Sequence, residues 1–109
     1  MEKYIDKLYT LLHSPMITPY NLLENAKLDN YNYVKYYKGS NGLIAEMQCV
    51  NEDAVEVTFF YEFNIKDELN TIIMKDQQNI EVMFNRDDEI KNVKDRIHEF
   101  ANMKEKAII

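Results

Sequence analysis

Between Asn32 and Asn85 the apolar residues recur every second position, in five runs separated by four short polar links. The runs are 32–38, 43–50, 54–63, 69–75 and 80–85, and the links read GSNG, NED, NIKDE and DQQN. A period of two is the signature of strands, whose successive side chains point to opposite faces. Links of three to five residues cannot carry a crossover to the far end of a sheet, so the strands must run antiparallel in chain order. GSNG also supplies the glycine and asparagine that tight hairpins use. This stretch restricts the chain to a meander sheet before anything else is considered.

The flanks have the other period. In residues 2–13, Tyr4, Ile5, Leu8, Tyr9, Leu11 and Leu12 gather on one wide helical face. SPMITP breaks the chain, and Thr18 before Pro19 reads as an N-cap with proline at the first helical position. A second short helix is expected over 19–27, with Leu22, Leu23 and Ala26 apolar. The last helix begins at NRDDE, where Asn85 or Asp87 can cap and acids suit the positive end of the helix dipole. Its stripe is Ile90, Val93, Ile97, Phe100, Ala101 and Ile108. The expected fold is therefore α+β: two N-terminal helices, a five-stranded antiparallel meander and one C-terminal helix, in a single domain over residues 1–109. With no internal repeat or linker, and enough residues to bury a core without staples, nothing calls for a second domain.

Loop lengths suggest a register: Lys38 opposite Leu43, Val50 opposite Ala54, Phe63 opposite Leu69 and Lys75 opposite Ile80. One face then carries the row Tyr36–Ala45–Phe59–Ile73–Val82, with Met47 beside Val57, Cys49 beside Val55 and Tyr61 near Phe84. Large residues alternate with small ones, as a packed core requires. The opposite face carries a second row, Tyr37–Ile44–Phe60–Ile72–Met83, bordered by Glu46, Glu56, Glu62 and Glu81, with Lys35, Thr58 and Met74 nearby. Five large apolar residues in line are each worth about 1.5–3 kcal/mol when covered. Either the terminal helices sandwich the sheet and cover this row, or the row is a binding or dimer surface with a carboxylate rim.

Catalytic constellations are thin. His13 and His98 fall on polar helix faces, Cys49 points into the core with no histidine expected near it, and Ser14 and Ser40 sit in loops without a base. Asp87-Asp88-Glu89 is explained by the helix start, and two glycines, Gly39 and Gly42, build no phosphate-cradling loop. No catalytic residue, metal ligand or cofactor is expected. No apolar run approaches the roughly 18 residues of a membrane span, and the first residues lack the uninterrupted apolar stretch of a signal peptide, so cytoplasmic residence is expected.

Charge points to the partner. The net charge is −6, and from Glu46 to Glu89 twelve acids stand against three bases. Such a surface repels nucleic acid and favours basic proteins. Asn, Lys, Ile, Tyr and Phe total 47 residues, with arginine only twice, a composition of AT-rich codons that suits a bacterial or phage genome. The function expected is that of a non-enzymatic protein-binding module of inhibitor, immunity or chaperone type. A phage- or mobile-element-encoded inhibitor of this build would place carboxylates where DNA has phosphates. Tyr37, Phe60 and Met83 are the expected apolar anchors, and Glu46, Glu56, Glu62 and Glu81 the expected acids. The alternative rests on YNYVKYYK, residues 31–38, whose tyrosines and lysines could stack single-stranded nucleic acid. A homodimer that buries the second row against its copy is a third reading.

Overall fold

The computed structural model describes residues 1–108, with side chains through Lys104. The elements are α1 (Glu2–His13), a 3-10 helix (Pro19–Lys27), β1 (Tyr31–Lys38), β2 (Leu43–Val50), β3 (Glu56–Phe63), β4 (Leu69–Lys75), β5 (Ile80–Asn85) and α2 (Arg86–Ile108). All five strands pair antiparallel in the order β1-β2-β3-β4-β5. The α+β class and the meander are as expected, but the second N-terminal helix is a 3-10 piece. The chain forms two compact units, residues 1–14 with the segment from Arg86 onward, and residues 15–85.

In the unit of residues 15–85 the 3-10 helix closes one sheet face. Three residues per turn bring positions 19, 22 and 25 to one side. Pro19 and Leu22 are buried, and Asn25 Nδ2 donates to the Met47 sulfur at 3.4 Å. Leu23 and Ala26, the other apolar residues of this segment, are exposed. Asn21 Oδ1 accepts the Thr18 N–H at 2.9 Å, which fixes the start of the helix. Leu22, Ala45, Met47, Phe63 and Leu69 form the core, with Val34, Tyr36, Phe59, Tyr61, Ile72 and Phe84 packed around it. Burying the larger of these is worth about 1.5–3 kcal/mol each. The Tyr36 hydroxyl donates to the Pro19 carbonyl at 2.8 Å and ties β1 to the helix.

Three of the four hairpins close by one device, a side-chain oxygen at the end of the outgoing strand that accepts backbone N–H groups of the loop. Asn51 Oδ1 accepts from Asp53 and Val55, Asn64 Oδ1 from Lys66 and Glu68, and Asp76 Oδ1 from Gln78 and Asn79. Ala54 and Asp67 take positive φ, 61° and 60°, to complete two of these loops. The β2–β3 loop therefore runs past Ala54, and Val50 faces Glu56, not Ala54. Ala45 consequently faces Tyr61 where Phe59 was expected, a slip of two that leaves every side chain on its expected face.

The β3–β4 ladder has an irregularity between Glu62 and Phe63, and there the slip is one. Ile72, expected on the second face, faces Tyr61 and packs on the core, while Ile73, expected in the core, faces Phe60 on the second face. A compensating irregularity between Ile72 and Ile73 in the β4–β5 ladder brings Phe84 back to the core, opposite Ile72. Val82, expected in the core, faces Ile73 on the second face and is 59% exposed.

In the other unit α1 packs on α2. Tyr4, Leu8 and Leu11 turn inward, whereas Ile5, Tyr9 and Leu12 stay exposed, so half of the wide apolar face is used. On α2, Ile90, Val93, Ile97 and Phe100 are buried or half-buried and Ala101 is exposed. Ile108 lies outside the described side chains. Arg86 is 8% exposed and donates from Nη1 to the carbonyls of Leu11 and Ser14 at the end of α1. That contact carried no signal in the sequence, where Arg86 reads only as part of a helix start.

Candidate functional site

The second sheet face is laid out by the observed register in three rows. The first is Tyr37–Ile44–Glu62–Thr71–Asn85, the second Lys35–Glu46–Phe60–Ile73–Val82, and the third Tyr33–Gln48–Thr58–Lys75–Ile80. Tyr37, Phe60, Glu46, Glu56 and Glu62 therefore share this face, as expected. The apolar residues do not form the expected line across all five strands. They form a strip, Phe60–Ile73–Val82, extended by Ile80 at one side, with Tyr37 and Ile44 set apart on β1 and β2. Met83 sits at the irregularity of β5 with no partner in the β4 ladder, and Glu81 pairs with Met74, whose alternation belongs to the core face. Both are exposed, but Met83 does not join the apolar residues in the row where it was expected, and Glu81 does not border them from the second face.

Glu46 is the electrostatic centre of the β1–β2 side. Its carboxylate accepts the Tyr33 hydroxyl at 2.6 Å and the Tyr37 hydroxyl at 2.9 Å, and Lys35 Nζ lies 3.3 Å away. Strand alternation accounts for the grouping, because Tyr33, Lys35 and Tyr37 are spaced by two and all point at the residue facing Lys35. The Lys35 ammonium also lies 5.3 Å from the Tyr33 ring centre and 6.0 Å from that of Tyr37. Burial pushes the Glu46 carboxyl up, but the hydrogen bonds from Tyr33, Tyr37 and Lys35 outweigh it, and the net shift is downward. Tyr33 is pushed up to about 12, first by its hydrogen bond to Glu46, then by burial and by the charges of Glu46, Tyr37 and Glu56.

The two shifts set the pH behaviour of the cluster. A raised Tyr33 contributes stability below its unfolded value near 10 and loses it as pH rises through about 12. The lowered Glu46 contributes above the ordinary carboxyl value and loses that contribution as pH falls below it and through its own lowered value. Glu46→Gln keeps the shape and one acceptor but removes the charge. In that variant one tyrosine should form phenolate well below about 12, moving toward the ordinary value of 10.0, as read by ultraviolet absorbance during alkaline titration. An unchanged titration curve would mean that the hydrogen bond to Glu46 does not control Tyr33.

The remaining acids differ in freedom. Glu62 accepts the Thr71 hydroxyl, whereas Glu56 is exposed. His13, in ring contact with Tyr9 at 4.6 Å, and His98 are both exposed on their helices. Cys49 is buried in the core face, and burial pushes its thiol up, away from nucleophilic character. No group of three or more His, Cys, Asp or Glu is placed to hold a metal among the described residues. No helix of the described residues is long and apolar enough to cross a membrane. No family model, no curated protein and no solved structure matches the chain.

Proposed function

We propose that this chain is a non-enzymatic protein-binding module that engages a basic partner through the second face of its sheet. The observation that carries the reading is the strip Phe60–Ile73–Val82 with Ile80, in which Val82 is 59% and Ile80 70% exposed, beside Glu56 and Glu62. Within residues 15–85 the 3-10 helix packs on the opposite face, so the strip has no cover from its own unit. An apolar centre with a charged border is how recognition surfaces are commonly built. The acid-rich stretch from Glu46 to Glu89 then selects a partner of opposite sign and speeds its approach. An inhibitor that occupies a nucleic-acid groove of its target is one module of this kind. The single-stranded nucleic-acid reading is weaker, because Glu46 already pairs with Lys35 and accepts both tyrosine hydroxyls of the would-be stacking strand.

The test is affinity capture from the source cells, followed by binding of the purified partner to Phe60→Ala. Removing a central aromatic anchor should weaken the complex at least about tenfold while the variant still melts cooperatively. Undiminished binding would remove the second face from consideration, and a stability loss of core size would make Phe60 an ordinary packing residue. A partner of acidic surface would overturn the charge argument.

A further inference from the structure

The second face also holds a hollow that the apolar strip does not account for. Its volume is about 270 Å³, and its lining includes Tyr33, Glu46, Glu56, Phe60, Lys75 and Asp76. The hollow lies wholly within residues 15–85. Its walls thus combine aromatic rings with three carboxylates and one ammonium. Glu46 is already answered by Lys35 at 3.3 Å, so Glu56 and Asp76 against Lys75 leave a single unbalanced negative charge. Asp76 is held below the usual carboxylate range by the backbone N–H groups of Gln78 and Asn79, which keeps it ionised. The negative field of Glu46 and Glu56 reaches the Tyr33 hydroxyl. A phosphate would meet these carboxylates and be repelled, whereas one positive charge would balance the site.

Resting on the protein-binding reading above, we propose that this hollow seats one arginine side chain of the partner protein, its guanidinium over the Phe60 ring and flanked by Glu56 and Asp76. Arginine suits the walls better than lysine for three reasons. Its planar group stacks on an aromatic face, its several donors serve two carboxylates at once, and it sheds water more readily than a compact ammonium. Lys75 opposes any cation equally and therefore does not alter the preference. The apolar strip along Ile73 and Val82 then continues from the seat and takes the partner's neighbouring apolar residues.

The experiment uses the full chain, labelled for amide NMR, titrated with a capped peptide of alternating glycine and arginine, with its lysine counterpart and with free arginine. The arginine peptide should shift the amides of Glu56, Thr58, Phe60 and Asp76 and bind about threefold or more tighter than the lysine peptide. Free arginine should move the same amides at higher concentration only, since the peptide adds contacts beyond the seat. Glu56→Gln should weaken the arginine peptide about fivefold, while Asp53→Asn, an exposed acid on the β2–β3 loop, should not. Equal binding of the two peptides, an equal loss in the Asp53 variant, free arginine binding as well as the peptide, or no shifts at millimolar peptide would each overturn the seat. Shifts centred on Ile73 and Val82 would overturn it while leaving the second face as the binding surface, and shifts confined to other surfaces would overturn both.

Discussion

Gly42→Ala is expected to cost about 3 kcal/mol of folding stability, combining a strained backbone angle with overpacking. Gly42 immediately precedes β2 at φ 152°, a region that residues bearing a Cβ rarely enter. The surroundings are as restrictive as the angle. A Cβ there would lie 2.4 Å from the Phe63 carbonyl oxygen and 2.7 Å from the carbonyl carbon and oxygen of Asn64. These are backbone atoms of the β3–β4 connection, so no side-chain rotation relieves the clash. Either the Gly39–Gly42 hairpin must open, losing the 2.7 Å bond from the Gly39 N–H to the Gly42 carbonyl, or Phe63 must leave its buried place beside Leu69. Gly39→Ala is the internal control. Its Cβ would meet the Ile44 side chain at 2.6 and 2.8 Å, and that side chain can change rotamer. The control should lose less than about 1.5 kcal/mol. Urea denaturation of the two variants decides the matter, and equal losses would show that the backbone approach at Gly42 is not the constraint.

The same hairpin shows why some of the fold was legible in the sequence and some was not. Link length and turn chemistry are local, so GSNG placed Lys38 opposite Leu43 correctly, and four of the five strands began within one residue of their expected positions. The β2–β3 link is longer than its composition suggests, because Ala54 looks like a strand residue. It is held at positive φ in a loop that Asn51 organises, and only the three-dimensional hairpin reveals this. The consequence was mild, since a slip of two preserves faces. The one-residue irregularity beside Phe63 was costlier. Ile72 and Ile73 are chemically identical neighbours, and alternation cannot tell which of them faces the core when the ladder shifts between them. That single step moved Ile72 into the core, brought Ile73 and Val82 to the second face, and turned the expected five-membered row into a strip on β3–β5.

The candidate site was legible to the same degree. Tyr37, Phe60, Glu46, Glu56 and Glu62 depend on the parity of β1, β2 and β3, which the even slip left intact. Glu81 keeps Met74 opposite it but follows β4 to the core face through the one-residue slip beside Phe63, whereas Met83 is displaced by the irregularity of the last ladder. What the sequence could not convey is how the charges are used. Glu46 looks like one more border acid, yet two tyrosines and Lys35 converge on it. The acids left to meet a partner are chiefly Glu56 and those beyond the strip, so charge counting alone overstated what the second face offers.

Arg86→Met should release α1 from its anchored end and cost about 3 kcal/mol, because hydrogen bonds from a charged donor are worth about 1.5–3 kcal/mol each. The last carbonyls of a helix have no partner within the helix, and a cation there also meets the negative end of the helix dipole. Arg86 supplies both needs for α1 at once. Its Nη1 donates to the Leu11 carbonyl and, at 2.8 Å, to the Ser14 carbonyl, while the side chain is nearly sealed from water. Methionine preserves the apolar stem and its packing, so the loss reports on the guanidinium as a whole. The ion pair from Lys7 to Glu89 at 3.5 Å, also between the two helices, is on the surface and worth little, so it does not compensate. Arg86→Lys keeps the charge but presents a compact, strongly hydrated donor, and it should recover about half of the loss. Hydrogen exchange reads the effect directly. Amides of Glu2–His13 that exchange through opening of α1 should do so about 100-fold faster in the methionine variant, the equivalent of roughly 3 kcal/mol. Unchanged exchange in α1 would mean that the apolar contacts of Tyr4, Leu8 and Leu11 hold the helix in place without the guanidinium.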